Sequence, residues 1–88
     1  QRITVRYYLP PLTVQETANY IKHRLWVAGP ESTAQFAGGA VKAVHRYAQG
    51  CPRLINAVCD NALLAGYVEG TQVISARGVK KAIRQLEG

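Results

Sequence analysis

Apolar positions recur at the three- and four-residue spacing of helices in four successive blocks. Ahead of them, residues 2–9 are β-branched and aromatic and alternate loosely, which predicts a strand or extended segment. Pro10 and Pro11 stop regular pairing and stiffen the connection. Thr13 and Glu16 then fit a capping box, with Thr13 as N-cap and Glu16 at the third helical position. Val14, Ala18, Ile21, Leu25 and Ala28 follow as one apolar stripe, predicting a helix over 14–28. Lys22, His23 and Arg24 suit the negative end of its dipole, and Gly29 and Pro30 end it.

A second helix is expected over 37–48, with Phe36, Ala40, Val41, Val44, Tyr47 and Ala48 on one face. Gly38 and Gly39 put its first turn in doubt, and Gly50 suits a left-handed position after its end. Pro52 opens the third helix, since its missing N–H would be unpaired there in any case. Leu54, Ile55, Val58, Cys59, Ala62 and Ala65, widened by Leu63, form a broad apolar face suited to a central helix. Glu69 and Gly70 end it. Val73 and Ile74 make a short apolar approach to a fourth helix, capped by Ser75 and carrying Val79, Ala82, Ile83 and Leu86. The connections are short, so neighbouring helices should pack around one core. The expected class is all-α, a four-helix bundle behind a short extended segment.

The composition bounds what this bundle can do. Hydrophobic residues make up 48% of the 88, which excludes intrinsic disorder, and no run of 18 apolar residues is present. Methionine is absent, Gln1 comes first, and the 2–9 strand has no partner strand in the chain. Together these are read as a piece cut from something longer. Cys51 and Cys59 are read as two buried reduced thiols, with a disulfide as the alternative. His23 and His45 show no ligand spacing with them, so no metal site is expected.

The chemistry-bearing inventory is short. No phosphate-binding G-x-x-x-x-G-K-[ST] motif is present, and no nucleophile sits with a His and an orienting acid. Five acids leave little for acid–base work. The segment from Gly50 to Asn56 stands apart, because it puts Arg53 in the first turn of a helix. That end of the dipole prefers anions, so a cation there, beside free N–H groups, makes a site for phosphate. The alternative is a surface arginine pointing to water.

From Leu9 to Leu86 the chain resembles the C-terminal helical lid of an AAA+ ATPase. It is most similar to the ATPases of general (type II) secretion, the ExeA/GspA group, and to related ATPases of pilus biogenesis. The residues that carry the likeness are Tyr8 to Thr13, then Glu16, Thr17, Tyr20 and Ile21. His45 to Tyr47, Gly50 to Asn56, Cys59, Asp60, Ala62 to Ala65, Val73 and Ile74 add to it. Gly-x-Pro-Arg with an Asn three residues on is the most specific element.

The resemblance implies residues 1–12 as the end of a large ATPase lobe and a hinge, and 13–88 as the lid. It implies ATP, with Mg in the parent protein, held mainly by a lobe that carries the Walker motifs. Arg53 matches the sensor 2 arginine, with Gly50 and Pro52 in its motif. Leu9 to Leu12 would form the hinge near the adenine, with Pro11 and Leu12 as the nucleotide-binding candidates among them. Tyr20 and Ile21 are candidates to pack on the base, with ordinary core as the alternative for Ile21. Arg2, with Arg6 as competitor, is a candidate finger acting on the neighbouring subunit's nucleotide. Implied partners are the large lobe, neighbouring ATPase subunits and an inner-membrane secretion protein. The implied location is cytoplasmic, with the parent attached to the bacterial inner membrane.

The net charge of +6 supports a second reading, a small basic helical module that binds DNA or protein. Against it, the cations are read as spread over all four helices, with no single helix basic along one face. Nucleic acid is therefore not favoured. A third reading makes the lid surface a docking face, with Tyr7, Trp26 and Tyr67 as its aromatics.

Overall fold

The computed structural model describes residues 10–29 and 34–88. The expected 2–9 strand, and with it Arg2, Arg6 and Tyr7, lies outside the described residues.

The first helix, α1 (Val14–Val27), begins where its cap chemistry dictates. The Glu16 amide donates to Thr13 Oγ1 at 3.1 Å, and the Thr13 amide donates to Glu16 Oε1 at 2.9 Å. This reciprocal box satisfies donors that the helix cannot satisfy itself. The inward face is rotated from the expected stripe. Thr17 and Ile21 are buried, Ala18 and Leu25 half-buried, and Val14 and Ala28 exposed. The Thr17 hydroxyl is sealed in with no hydrogen-bond partner among the described residues.

A two-residue strand, β1 (Gln35–Phe36), precedes α2 (Gly38–Ala48). α2 is helical from Gly38 even though its N-cap, Ala37, offers no side-chain acceptor. Ala40, Ala43, Val44 and Ala48 are its buried residues. α3 (Pro52–Glu69) is the longest element and has Pro at its first turn. It buries Ile55, Val58, Cys59, Ala62 and Gly66, while Leu54 lies at the exposed margin of the face expected for it. A second two-residue strand, β2 (Val73–Ile74), leads into α4 (Ala76–Glu87), where Ser75 Oγ accepts from the Gly78 amide at 3.2 Å.

The strands pair in parallel, Gln35 opposite Val73 and Phe36 opposite Ile74. Gln35 donates to the Gln72 carbonyl at 2.8 Å and Ala37 to that of Ile74 at 2.9 Å. This pairing staples the α1–α2 connection to the α3–α4 connection. The fold is otherwise all-α. α4 packs on both α2 and α3, and α1 packs on α2. The side chains that fill the centre include Val44, Ile55, Val58 and Val79, all fully buried.

α4 corrects one reading of the charges. Arg77, Lys80, Lys81 and Arg84 are all exposed on it. At 3.6 residues per turn they fall within an arc of about 100°, so this helix is basic along one face. Val79, Ala82 and Ile83 turn to the opposite side. No described helix is long and apolar enough to cross a membrane.

Two expectations test this packing. Gly50 and Gly70 share a backbone φ of 76°, but a Cβ at Gly50 would strike the Leu12 backbone, whereas one at Gly70 meets open space. Gly50→Ala should therefore cost at least about 2 kcal/mol in urea unfolding, against about 1 kcal/mol for Gly70→Ala. Equal losses would mean that the Leu12 contact is not made. Burial also pushes the Cys59 thiol from 9.0 to about 12, with Arg24 partly opposing and Asp60 adding to the rise. A thiol so raised favours the fold below pH 9 and ceases to as pH climbs towards 12. In native protein at pH 8, iodoacetamide should modify half-buried Cys51 faster than Cys59, with both reacting alike in denaturant.

Candidate functional site

The junction between α2 and α3 is built from two consecutive left-handed residues. Gln49 has φ 53° and ψ 37°, and Gly50 has φ 76°. Gln49 tolerates this conformation while its side-chain amide donates to the Arg46 carbonyl at 2.7 Å. The chain then straightens at Cys51, whose carbonyl accepts the first α3 bond from the Ile55 amide at 2.9 Å. Cys51 provides no side-chain cap, and the first turn of α3 holds no acid. Pro52 has no N–H to leave orphaned, so among the described residues the amides of Arg53 and Leu54 are the unclaimed donors of this helix start.

Arg53 stands at the second helical position and is exposed. Among the described residues it forms no ion pair and no side-chain hydrogen bond. Arg53 thus adds a cation to a helix start whose dipole already carries positive potential. Helix starts of this kind attract anions bearing several oxygens, such as a phosphate.

The segment ahead of α1 is bound to this junction through its backbone. The Leu12 amide donates to the Gly50 carbonyl at 3.0 Å. The Leu12 carbonyl lies 3.0 Å from His45 Nε2, and because a carbonyl can only accept, that ring nitrogen carries the proton. Gly50 is buried beneath Pro11 and Leu12, and a Cβ there would lie 2.6 Å from the Leu12 nitrogen and 2.8 Å from Pro11 Cβ. Pro11 is exposed and Leu12 half-buried. Pro11, Leu12, Gly50 and the Pro52–Arg53 turn therefore form one contiguous region.

Asn56 ties α1 to the same turn. Its Oδ1 accepts from the Tyr20 hydroxyl at 3.0 Å and from Arg24 Nη1 at 2.8 Å. Arg24 Nη2 also reaches Asp60 Oδ1 at 3.2 Å, one turn further along α3. That ion pair is largely solvated and contributes about 0–1 kcal/mol at most. Half-buried Tyr20 is thereby held at one rim of the α1–α3 contact with its hydroxyl already engaged. Ile21, by contrast, is only 4% exposed and belongs to the core cluster. His45, Arg24 and Asp60 were not among the candidate site residues. His45 and Asp60 were noted for the resemblance they help to carry, and Arg24 as a cation near the end of α1.

Elsewhere, His23 and Trp26 stack with ring centroids 6.0 Å apart, leaving Trp26 largely in solvent. Tyr67 is likewise exposed. Among the described residues, no group of three or more His, Cys, Asp or Glu is placed to hold a metal ion.

No protein-family pattern matches the chain. No solved structure matches it either. Over all 88 residues it is 40% identical to the general secretion pathway protein A of Aeromonas hydrophila, and it spans 16% of that protein's length. The residues that make up the α2–α3 junction and its neighbours thus sit in a chain that is related, along its full length, to a portion of general secretion pathway protein A.

Proposed function

We propose that this chain is the lid, or sensor 2, subdomain of an AAA+ ATPase that serves a bacterial general secretion pathway. In this reading residues 13–88 close over ATP bound to a large lobe, and residues 1–12 are the end of that lobe and the hinge. The observation that carries it is the placement of Arg53. It is an exposed cation at the uncapped, acid-free start of α3, three residues after Gly50, whose backbone meets Pro11 and Leu12. A hinge bound this closely to the turn bearing the cation makes lid angle and phosphate contact a single variable. The similarity to general secretion pathway protein A supports the choice of pathway.

The roles then divide by residue. Arg53 makes a charge-assisted contact with the nucleotide phosphates, strengthened in a partly dry cleft. Gly50 lets the hinge approach, and Pro52 starts the helix without an orphaned amide. Tyr20, fixed by Asn56, and Leu12 form the apolar rim nearest the base. Magnesium and the hydrolytic groups belong to the large lobe, and Arg2 acts on the neighbouring subunit's nucleotide. An inner-membrane protein of the secretion machinery is the parent's partner.

The cationic face of α4 favours a second reading, a basic helical module, more than the scattered charges in the sequence did. In its DNA-binding form it requires a salt-dependent shift of random duplex DNA, and no binding at low salt removes that form.

Arg53→Ala, made in the longer protein that contains the large lobe, should lower ATP turnover at least about tenfold. The exposed side chain should leave the melting temperature nearly unchanged. Unaltered turnover would sink the sensor role. Asn56→Ala should act on the fold instead, because it removes the acceptor for Tyr20 and Arg24. A loss of about 1–2 kcal/mol is expected, read as a lower melting midpoint by circular dichroism.

A further inference from the structure

At the far end of α3 from Arg53, two hollows adjoin on one face. The first, about 360 Å³, lies between the last turns of α3, β2 and α4. Its floor is Ala62, Ala65, Gly66 and Ile74, and its rim carries Arg77, Lys81 and Arg84. The second, about 290 Å³, is bordered by Leu64 and Val68 of α3 and Gln85 of α4. The two share Ala65, Glu69 and Lys81, so they form one continuous trough. Lys81 Nζ meets Glu69 Oε2 at 3.0 Å in that shared part. Among the described residues Glu69 is the only acid lining either hollow, against Arg77, Lys81 and Arg84, an excess there of two positive charges.

The apolar side chains here are unusually open. Leu64 is 62% exposed, Val68 76% and Val73 55%. Leu64 and Val68 stand four residues apart and so project side by side, a ridge that a second helix covers by packing alongside. Gly66 is packed from within, since a Cβ there would lie 2.7 Å from Ile74 Cδ1, so α3 and β2 close the floor of the trough.

We propose that this trough is the docking site for an amphipathic helix of a partner protein, one with an apolar stripe flanked by Asp and Glu. The stripe covers Leu64, Val68 and Val73, and the flanking carboxylates meet Arg77 and Arg84. Charge complementarity decides the class of partner. A phosphate backbone would pair the cations but leave the apolar ridge wet, whereas an acidic amphipathic helix satisfies both. The site belongs to the protein-binding form of the second reading. Its α3 lining, from Asn61 to Glu69, begins about 12 Å and ends about 24 Å along the helix from Arg53, so it can fail while the nucleotide role holds, and the reverse.

The test begins with selection from a displayed library of helical peptides, randomised at every position, against the 88-residue chain. Selected peptides should carry an acidic-flanked apolar stripe. The charge-reversed variant R77E/R84E should weaken their binding at least tenfold while keeping the circular dichroism spectrum and melting midpoint. Replacing the peptide's acids with lysine should restore binding to that variant. Leu64→Asp should weaken both pairings. No enrichment of acidic amphipathic sequences overturns the proposal, as does binding that R77E/R84E leaves unchanged. It is equally overturned if vesicles of phosphatidylglycerol or random duplex DNA bind through Arg77 and Arg84 while the peptides do not.

Discussion

The paired backbone bonds of Leu12 set the geometry on which the candidate site depends. Its amide is taken by the Gly50 carbonyl and its carbonyl by the His45 ring. Both polar groups of one half-buried residue are thus satisfied by the α2–α3 junction and not by a strand or by water. The arrangement works because nothing projects from Gly50, which lets two stretches of main chain touch. The start of α1, the end of α2 and the start of α3 meet there, so the direction in which the chain enters the bundle and the direction of Arg53 are set together.

The helix starts were legible because their chemistry is local. Thr13 and Glu16 announce a box, Pro52 a first turn and Ser75 a cap, and each lies within three residues of what it bonds. The core was legible where it follows the helical period, as with Ile55, Val58 and Cys59 or Val79 and Ala82. Thr17 was missed because a hydroxyl scores as polar even when the helix turns it fully inward. The β1–β2 pairing was missed because two residues leave no periodicity, and their partners lie on the far side of two helices. For the same reason Leu12 could be named as hinge while its bonds to Gly50 and His45 could not. The left-handed turn was expected at Gly50, and Gln49 joins it with its amide bonded to the His45 carbonyl and its side chain to that of Arg46.

The net charge of +6 separates into parts of different character. Arg53 is a single exposed cation at a helix start without acids. The four cations of α4 act as a set because their spacing matches one helix face. Arg24 is spent within the fold, on Asn56 and Asp60. The apolar period of α4 and its cationic period are the same repeat seen from opposite sides. Following only the first in the sequence conceals the second.

α3 reaches from the junction at Leu12 to the trough beside Ile74 without a break. A continuous helix of 18 residues behaves as a stiff beam. A rotation of about 10° pivoting at Arg53 would carry its other end through about 4 Å, comparable to the width of a side chain. Such a rod would convert a small angular change at one end into a linear displacement at the other, and the β1–β2 pairing would pass it to Gln35 and Phe36 ahead of α2.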